Sequence, residues 1–237
     1  MKRKKIEAIN KILNINKPVG ISSFAVVQQV KKFLNFKKVG HGGTLDPFAD
    51  GVLLILIGRG ATRQMETLLK LKKSYRALLQ LGSKTESADT EGDVIETREI
   101  PVIDDLLLQQ VSKFFVGEYL QTPPQHSAKK VRGRPAYKYV RKGESVELKP
   151  KKVQIYNLDI EKKKDDVLEF WVTCSSGTYI RVLGEEIAEK LGTVGYLTEL
   201  TRESIGPYNL ENAVQLTELP IVLQEEKKYL IEKETAN

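Results

Sequence analysis

Six consecutive residues, Val52-Leu53-Leu54-Ile55-Leu56-Ile57, are apolar without a break, the pattern of a β-strand buried on both faces. A rigid core strand therefore anchors whatever precedes it. What precedes it is a glycine-rich bend, Gly40-His41-Gly42-Gly43-Thr44-Leu45-Asp46-Pro47-Phe48-Ala49-Asp50-Gly51. Its glycines let another molecule come close to the main chain. Pro47 biases Asp46 away from the helical region, so the carboxylate sits on a stiff, extended corner. A Gly-Gly turn and an Asp-Pro turn account for each pair taken alone. The combined order is less common, and an acid held stiffly ahead of a core strand marks Asp46 as the candidate catalytic residue.

Composition narrows the chemistry around it. With 237 residues, 41% of them hydrophobic and 29% charged, the chain can bury a substantial core as one large domain or two small ones. No linker or repeat stands out, so a single catalytic domain over 1–237 is the simpler expectation. The longest apolar run is too short for a membrane span, and Met1-Lys2-Arg3-Lys4-Lys5 leads into no apolar signal region. A soluble, cytoplasmic protein is expected. Cys174 is the only cysteine, and His41 and His126 are the only histidines. Neither a disulfide framework nor a cysteine-rich zinc site can be assembled from these, so no metal is expected.

The formal net charge is +7, which favours a polyanionic partner. Its placement says more than its total. Between Gln121 and Gly143 the chain carries Lys129, Lys130, Arg132, Arg134, Lys138, Arg141 and Lys142 with no acid, interleaved with Tyr137 and Tyr139. Phosphate-binding cations beside aromatic platforms suit irregular or single-stranded nucleic acid. A solvated, mobile loop is the alternative, and both hold if the loop orders on binding. The segment is read as an excursion from the main domain, at about 121–150.

The periodicities give a mixed α/β chain. Ser22 and Ser23 cap a helix with Val27, Val30 and Leu34 on one face. Tyr75 to Leu81 reads as a strand and Asp104 to Val116 as a helix. Val153, Ile155, Leu158 and Ile160 roughly alternate, and Val167 to Cys174 is a second strand beyond the charged turn Glu161 to Asp166, giving an antiparallel hairpin. Ser175-Ser176-Gly177-Thr178 leads into a helix with Ile180, Leu183, Ile187 and Leu191 on one stripe, closed by Gly192.

Six ordered blocks resemble the TruB family of bacterial tRNA pseudouridine synthases, from Ile12 to about Tyr208. They are Asn16-Lys17-Pro18-Val19-Gly20-Ile21-Ser22-Ser23, the Gly40 to Leu53 bend, Tyr75-Arg76-Ala77, Gln121-Thr122-Pro123-Pro124 with Ser127-Ala128-Lys129, Cys174-Ser175-Ser176-Gly177-Thr178-Tyr179-Ile180-Arg181, and Leu200-Thr201-Arg202. The resemblance implies an α+β fold with a mixed, largely antiparallel central sheet flanked by helices and loops, plus an RNA-binding insertion. It also implies the reaction: a uridine of the tRNA T loop, position 55 of the tRNA, is isomerised by breaking the N1–C1′ bond and rejoining through C5, without a cofactor.

By position, Asp46 matches the family's essential aspartate, which must be ionised to act as base or nucleophile. Arg181 matches the arginine that pairs with it, through a fork of parallel hydrogen bonds. Tyr75 matches the tyrosine that stacks on the extruded base. His41 matches a histidine that contacts the flipped-out nucleotides, Lys17 fixes the turn after it, and Leu200 matches an apolar pocket wall. Tyr179 joins the RNA-contacting set, as do Lys129, Lys130, Arg132 and Arg141 of the inserted segment. The implied partner is the T arm of tRNA, with no obligate protein partner and a monomer as the default.

Three departures stand against that pattern. One extra residue falls between Asp46 and Tyr75, near Gly58-Arg59-Gly60. Asp50 adds a carboxylate close to Asp46 and is expected to face away. Only about 29 residues follow Tyr208, enough for a helix or two, so the small PUA-type C-terminal domain common in relatives is expected to be absent or vestigial. The competing reading is a catalytically silent tRNA-binding or tRNA-folding protein, which would have no need of Asp46, Tyr75 and Arg181 together.

Overall fold

The computed structural model describes residues 9–127, 129–131, 133–140 and 142–235. The chain divides into two compact units, Met1–Leu71 with Thr201–Asn237 and Lys72–Leu200.

The first unit opens with β1 (Lys11–Lys17), α1 (Ser23–Leu34), β2 (Val39–His41), β3 (Asp50–Ile57), α2 (Arg59–Arg63) and α3 (Met65–Lys70). β3 contains the expected apolar run, and its alternate side chains feed two separate clusters. Leu53, Ile55 and Ile57 pack with Leu13, Ile15 and the α1 residues Val26, Val27, Val30 and Leu34. Val52, Leu54 and Leu56 pack with Ala61, Leu68 and Ile205. All six are fully buried, each burial contributing about 1.5–3 kcal/mol. That is the physical reason a strand of period two carries no polar face here.

α1 starts where expected: Ser22 is its N-cap and accepts from the Ala25 N–H. Gly58 has φ +89°, and a Cβ on it would lie 1.6 Å from the Ile9 carbonyl oxygen, so only glycine fits.

The second unit contains β4 (Lys73–Leu81), β5 (Ser83–Thr85), β6 (Val94–Thr97), α4 (Asp105–Phe115) and β7 (Gly117–Gln121). The basic segment follows as β8 (Lys130–Val131), β9 (Arg134–Pro135) and the single-turn α5 (Tyr137–Val140). β10 (Lys151–Lys164), β11 (Val167–Cys174) and α6 (Ile180–Lys190) complete it, with the first half of β12 (Gly195–Ile205). The strand order is β12-β4-β11-β10-β7. The expected hairpin is β10 with β11, antiparallel. Its turn is tighter than the charge pattern suggested, because β10 runs on as far as Lys164.

The second half of β12 belongs to the first unit and runs parallel to β3, with Thr201 opposite Asp50 and Arg202 opposite Gly51. β13 (Tyr208–Asn209), β14 (Val214–Gln215), a 3-10 turn, α7 (Leu219–Val222) and α8 (Gln224–Thr235) follow. Leu219 and Leu223 close the cluster over α1. The strand order in this unit is β14-β1-β3-β12, with β2 added on β3. β1 pairs with β14, and β12 with β3, in parallel; β1 with β3, β4 with β11, and β10 with both its neighbours are antiparallel. The chain is thus α/β with a mixed, largely antiparallel sheet. Among the described residues no helix is long and apolar enough to cross a membrane.

Candidate active site

Asp46 lies in the loop between β2 and β3, half-buried. The loop is held by side chains whose donors end on its carbonyl groups. Lys17, fully buried at the end of β1, donates to the carbonyls of Pro18 and Ile21 at 2.8 Å each and to Pro47 at 3.4 Å. The lysine expected to brace the Lys17-Pro18-Val19-Gly20 turn therefore also reaches the residue after Asp46. The Gly20 N–H donates to the same Pro47 carbonyl at 2.8 Å. Ser23 Oγ takes both backbone groups of Leu45, accepting from its N–H at 2.8 Å and donating to its carbonyl at 2.9 Å.

Arg202 completes the frame. Its side chain is 1% exposed, and its guanidinium donates to Val52 O (2.7 Å), Thr44 O (3.1 Å) and Gly43 O (3.2 Å). Gly51 has φ +103°, and a Cβ there would stand 2.3 Å from the Arg202 carbonyl oxygen, so the close approach of β12 to β3 requires glycine. Of the three glycines before Thr44, only Gly43 has a positive φ. Gly40 and Gly42 make room instead, against Met65 and Leu54. Asp50 is the first residue of β3. His41 ends β2, opposite Ile55. Burial first, and then the Arg202 charge, push its imidazole pKa below the usual value, so the ring is neutral near pH 7.

Tyr75 and Arg181 belong to the second unit. Tyr75 lies on the buried face of β4 with Ala77 and Leu79. Arg181, 4% exposed, is the second residue of α6. Its guanidinium donates to Ser87 O at 2.5 Å and His126 O at 2.9 Å, and forms an ion pair with the Asp89 carboxylate at 3.3 Å. Asp89 is 2% exposed and accepts also from Ser87 Oγ and the Glu91 N–H. The sequence reading gave Arg181 only Asp46 as a partner and missed Asp89 entirely. A structural signal beside it is Ala88 at φ +61°, a conformation unfavourable for a residue with a Cβ and common near functional sites.

Tyr179 is the N-cap of α6, and Leu200 is buried on β12. In the basic segment, Lys129 donates to the Lys149 carbonyl at 3.3 Å and Lys130 begins β8. Arg132 and Arg141 lie outside the described residues. Arg134, Lys138 and Lys142, three of the cations counted in that segment, line one cavity of about 280 Å³ with Tyr139 and Glu144. The segment is folded rather than loose: the Gln125 amide pairs with both backbone groups of Val146, and Ala136 is fully buried. No group of three or more potential metal ligands occurs among the described residues.

The first unit thus holds a carboxylate on a fastened loop; the second holds a buried arginine at a helix start and a basic segment with aromatic side chains. The family model for the N-terminal domain of TruB family pseudouridylate synthases matches residues 31–180, which includes Asp46 and Tyr75 and stops just before Arg181. The tRNA pseudouridine synthase B of Hydrogenovibrio crunogenus is 41% identical over 93% of this chain and 73% of its own length. That of Thiobacillus denitrificans is 45% identical over 90% of this chain and 71% of its own. Among solved structures, a chain of a Cbf5-Nop10-Gar1 complex superposes with a TM-score of 0.67 at 29% identity, over 95% of this chain. A chain of an H/ACA RNP bound to a substrate RNA containing 2′-deoxyuridine gives 0.64 at 26%. This chain spans 56% and 55% of the lengths of those two chains.

Proposed function

We propose that this chain, which belongs to the TruB family of pseudouridylate synthases, isomerises a uridine of tRNA to pseudouridine. The observation that carries the reading is the fastening of the Asp46 loop. Lys17, Ser23 and Arg202, all buried, direct their donors to carbonyls at positions 43, 44, 45 and 47. Such a frame holds one carboxylate in a fixed place, which is what attack at, or next to, an anomeric carbon requires.

In the proposed reaction the N1–C1′ bond of the target uridine breaks, the uracil turns, and a C5–C1′ bond forms. C5 then loses its proton and N1, which carried none while bonded to C1′, gains one, so atoms and charge balance without a cofactor. Asp46 acts in its ionised form, either on C1′ or on the C2′ proton. Arg181, held by Asp89, Ser87 and His126, is assigned the role of fixed positive charge in the reaction. Tyr75 offers a π face to the extruded base, with Leu200 as apolar wall, while His41 and Tyr179 contact the flipped nucleotides. The basic segment, with Lys129, Lys130, Arg132, Arg134, Lys138, Arg141 and Lys142, grips backbone phosphates.

The finer assignment is to the T arm of tRNA, with the loop uridine at position 55 as target. The protein acts in the cytoplasm as a monomer without an obligate protein partner. The test is a T-arm stem-loop, and separately a full tRNA, incubated with the protein in chelator and analysed for pseudouridine. Product with wild type, and none with an Asp46→Asn variant that still binds RNA, is the expected result. Binding without product in the wild type would instead establish a silent RNA-binding protein, and strand cleavage would overturn both.

A further inference from the structure

The start of α6 lacks the usual device for fixing a helix N-terminus. Its N-cap, Tyr179, makes no side-chain capping bond, although Arg181 two residues on depends on how that turn is placed. The missing function is supplied from β7. Gln121, 1% exposed, accepts from the Tyr179 N–H at 2.8 Å through Oε1 and donates to the Tyr179 carbonyl at 3.1 Å through Nε2. The same carbonyl accepts the first helical bond, from Leu183 N–H.

The direction of this network follows from donor and acceptor chemistry alone. A backbone N–H can only donate and a carbonyl can only accept, so Tyr179 fixes which end of the amide is oxygen. The second Nε2 hydrogen then points at Tyr119 Oη, 2.8 Å away. Tyr119 must accept it, so its own proton goes to Glu186 Oε2 at 3.1 Å. Glu186 lies on α6 itself, so the chain of bonds leaves the helix at its N-cap, crosses β7, and returns to it.

We propose that Gln121, Tyr119 and Glu186 are a positioning relay for the proposed isomerase site, in which the Gln121 amide sets the first turn of α6 and thereby the Arg181 guanidinium. The inference rests on the proposed function for its kinetic readouts and on geometry alone for its structural one. Ionised Glu186 makes the Tyr119 bond charge-assisted, and protonation turns it into a neutral bond of roughly half the strength. The clamp is thus firmest above the pH at which Glu186 gains its proton. Burial raises the Glu186 pKa to about 6, with Tyr119 and Gln121 opposing the rise and Glu185 and Glu189 adding to it. The other titratable or charged groups around it are Lys84, which bridges Glu185 and Glu189, Arg181, which acts on Glu185, and Cys174, which acts on Tyr119.

The test uses Gln121→Met, which keeps the side chain's length and apolar stem but makes neither amide bond, with Gln121→Glu as the conservative partner that keeps only the bond to the Tyr179 N–H. Hydrogen exchange over residues 179–184 is the readout that needs no activity: Gln121→Met should lose protection there and nowhere else in α6, with Gln121→Glu intermediate. In single-turnover assays on tRNA, Gln121→Met should slow conversion by about ten- to a hundredfold with RNA Kd unchanged within about twofold. The wild-type rate should fall on the acid side with a midpoint near 6, and Glu186→Gln should flatten that limb. Wild-type exchange in Gln121→Met would overturn the relay whether or not the protein is an isomerase. Absence of product in the wild type, with exchange altered as expected, would overturn the proposed function and leave the clamp standing. An active wild type with equally active Gln121→Met would overturn the link from clamp to Arg181.

Discussion

Replacing Arg202 with methionine isolates the fastening of the Asp46 loop. Methionine fills much of the space of the arginine stem while removing every donor. Three carbonyls then lose their partner: Val52 O inside β3, and Gly43 O and Thr44 O in the loop. A buried acceptor left unsatisfied costs about 1–3 kcal/mol, but relief from burying the guanidinium charge offsets part of the loss. A net destabilisation of about 3–5 kcal/mol follows, within the stability of an ordinary domain, so the variant should still fold at 25 °C. At a urea m-value of about 2–3 kcal/mol/M, the unfolding midpoint should drop by roughly 1–2 M. The freed Gly43-Thr44 segment lies two residues from Asp46, and a displacement of about 1 Å at a reacting group costs on the order of a hundredfold in rate. Urea unfolding and single-turnover pseudouridine formation, followed by release of label from C5 of uridine, measure the two effects on the same preparation. Arg202→Lys, which can satisfy one or two of the carbonyls, should recover part of each. Unchanged midpoint and rate together would refute the tether. A lowered midpoint with wild-type turnover would show that the tether stabilises the fold without placing Asp46.

Ser23→Ala should cost about 1–3 kcal/mol in thermal or urea unfolding, because both backbone groups of Leu45 lose their partner; a cost near zero would mean water replaces the hydroxyl. Substituting alanine for Arg134, Lys138 and Lys142 together should flatten the slope of log Kd against log salt by about 2–3 in an RNA-binding titration, whereas an unchanged slope would remove that cavity from the RNA path. Glu186 ionises near 6 in the folded protein against 4.5 when free, so the native state holds its proton more tightly. Its contribution to stability is complete below pH 4.5 and is lost as pH rises through about 6. Glu186→Gln should therefore show a smaller fall in unfolding midpoint between pH 4.5 and 7 than the wild type. The same carboxylate would then favour activity and disfavour stability as the pH rises.

Much of the scaffold is legible because it follows from period and caps. The apolar run of β3, the α1 face with its Ser22 cap, and the stripe on α6 depend on neighbours in sequence, and local patterns report them. Lys17 was legible as a brace for its own turn, since Pro18 and Ile21 are close in sequence, but its reach to Pro47 was not. Arg202 and Asp89 are harder for a common reason: the carbonyls that Arg202 meets and the Arg181 that Asp89 meets lie far along the chain. One signal was present for Arg202, because Leu200 and Arg202 are two apart on a strand and share its buried side; a cation in an apolar register must find acceptors. For Asp89 nothing local distinguishes a buried carboxylate from the other acids between Glu86 and Asp93. Ser23 was read as a cap and is instead the clamp on Leu45, a difference of one residue that only tertiary contact decides.

The first unit is assembled from both ends of the chain. Its loop at Gly43 and Thr44 waits for an arginine 158 residues downstream of Thr44. At a synthesis rate of about 5–20 residues per second, the ribosome needs roughly 8–30 s to make that stretch. During that interval β3 lacks β12 beside it, while the intervening unit has time to fold. The Arg202 contacts to the Asp46 loop are thus among the later ones to form. A chain interrupted before Arg202 would keep the Lys17 and Ser23 contacts to the Asp46 loop but lack the guanidinium at Gly43 and Thr44.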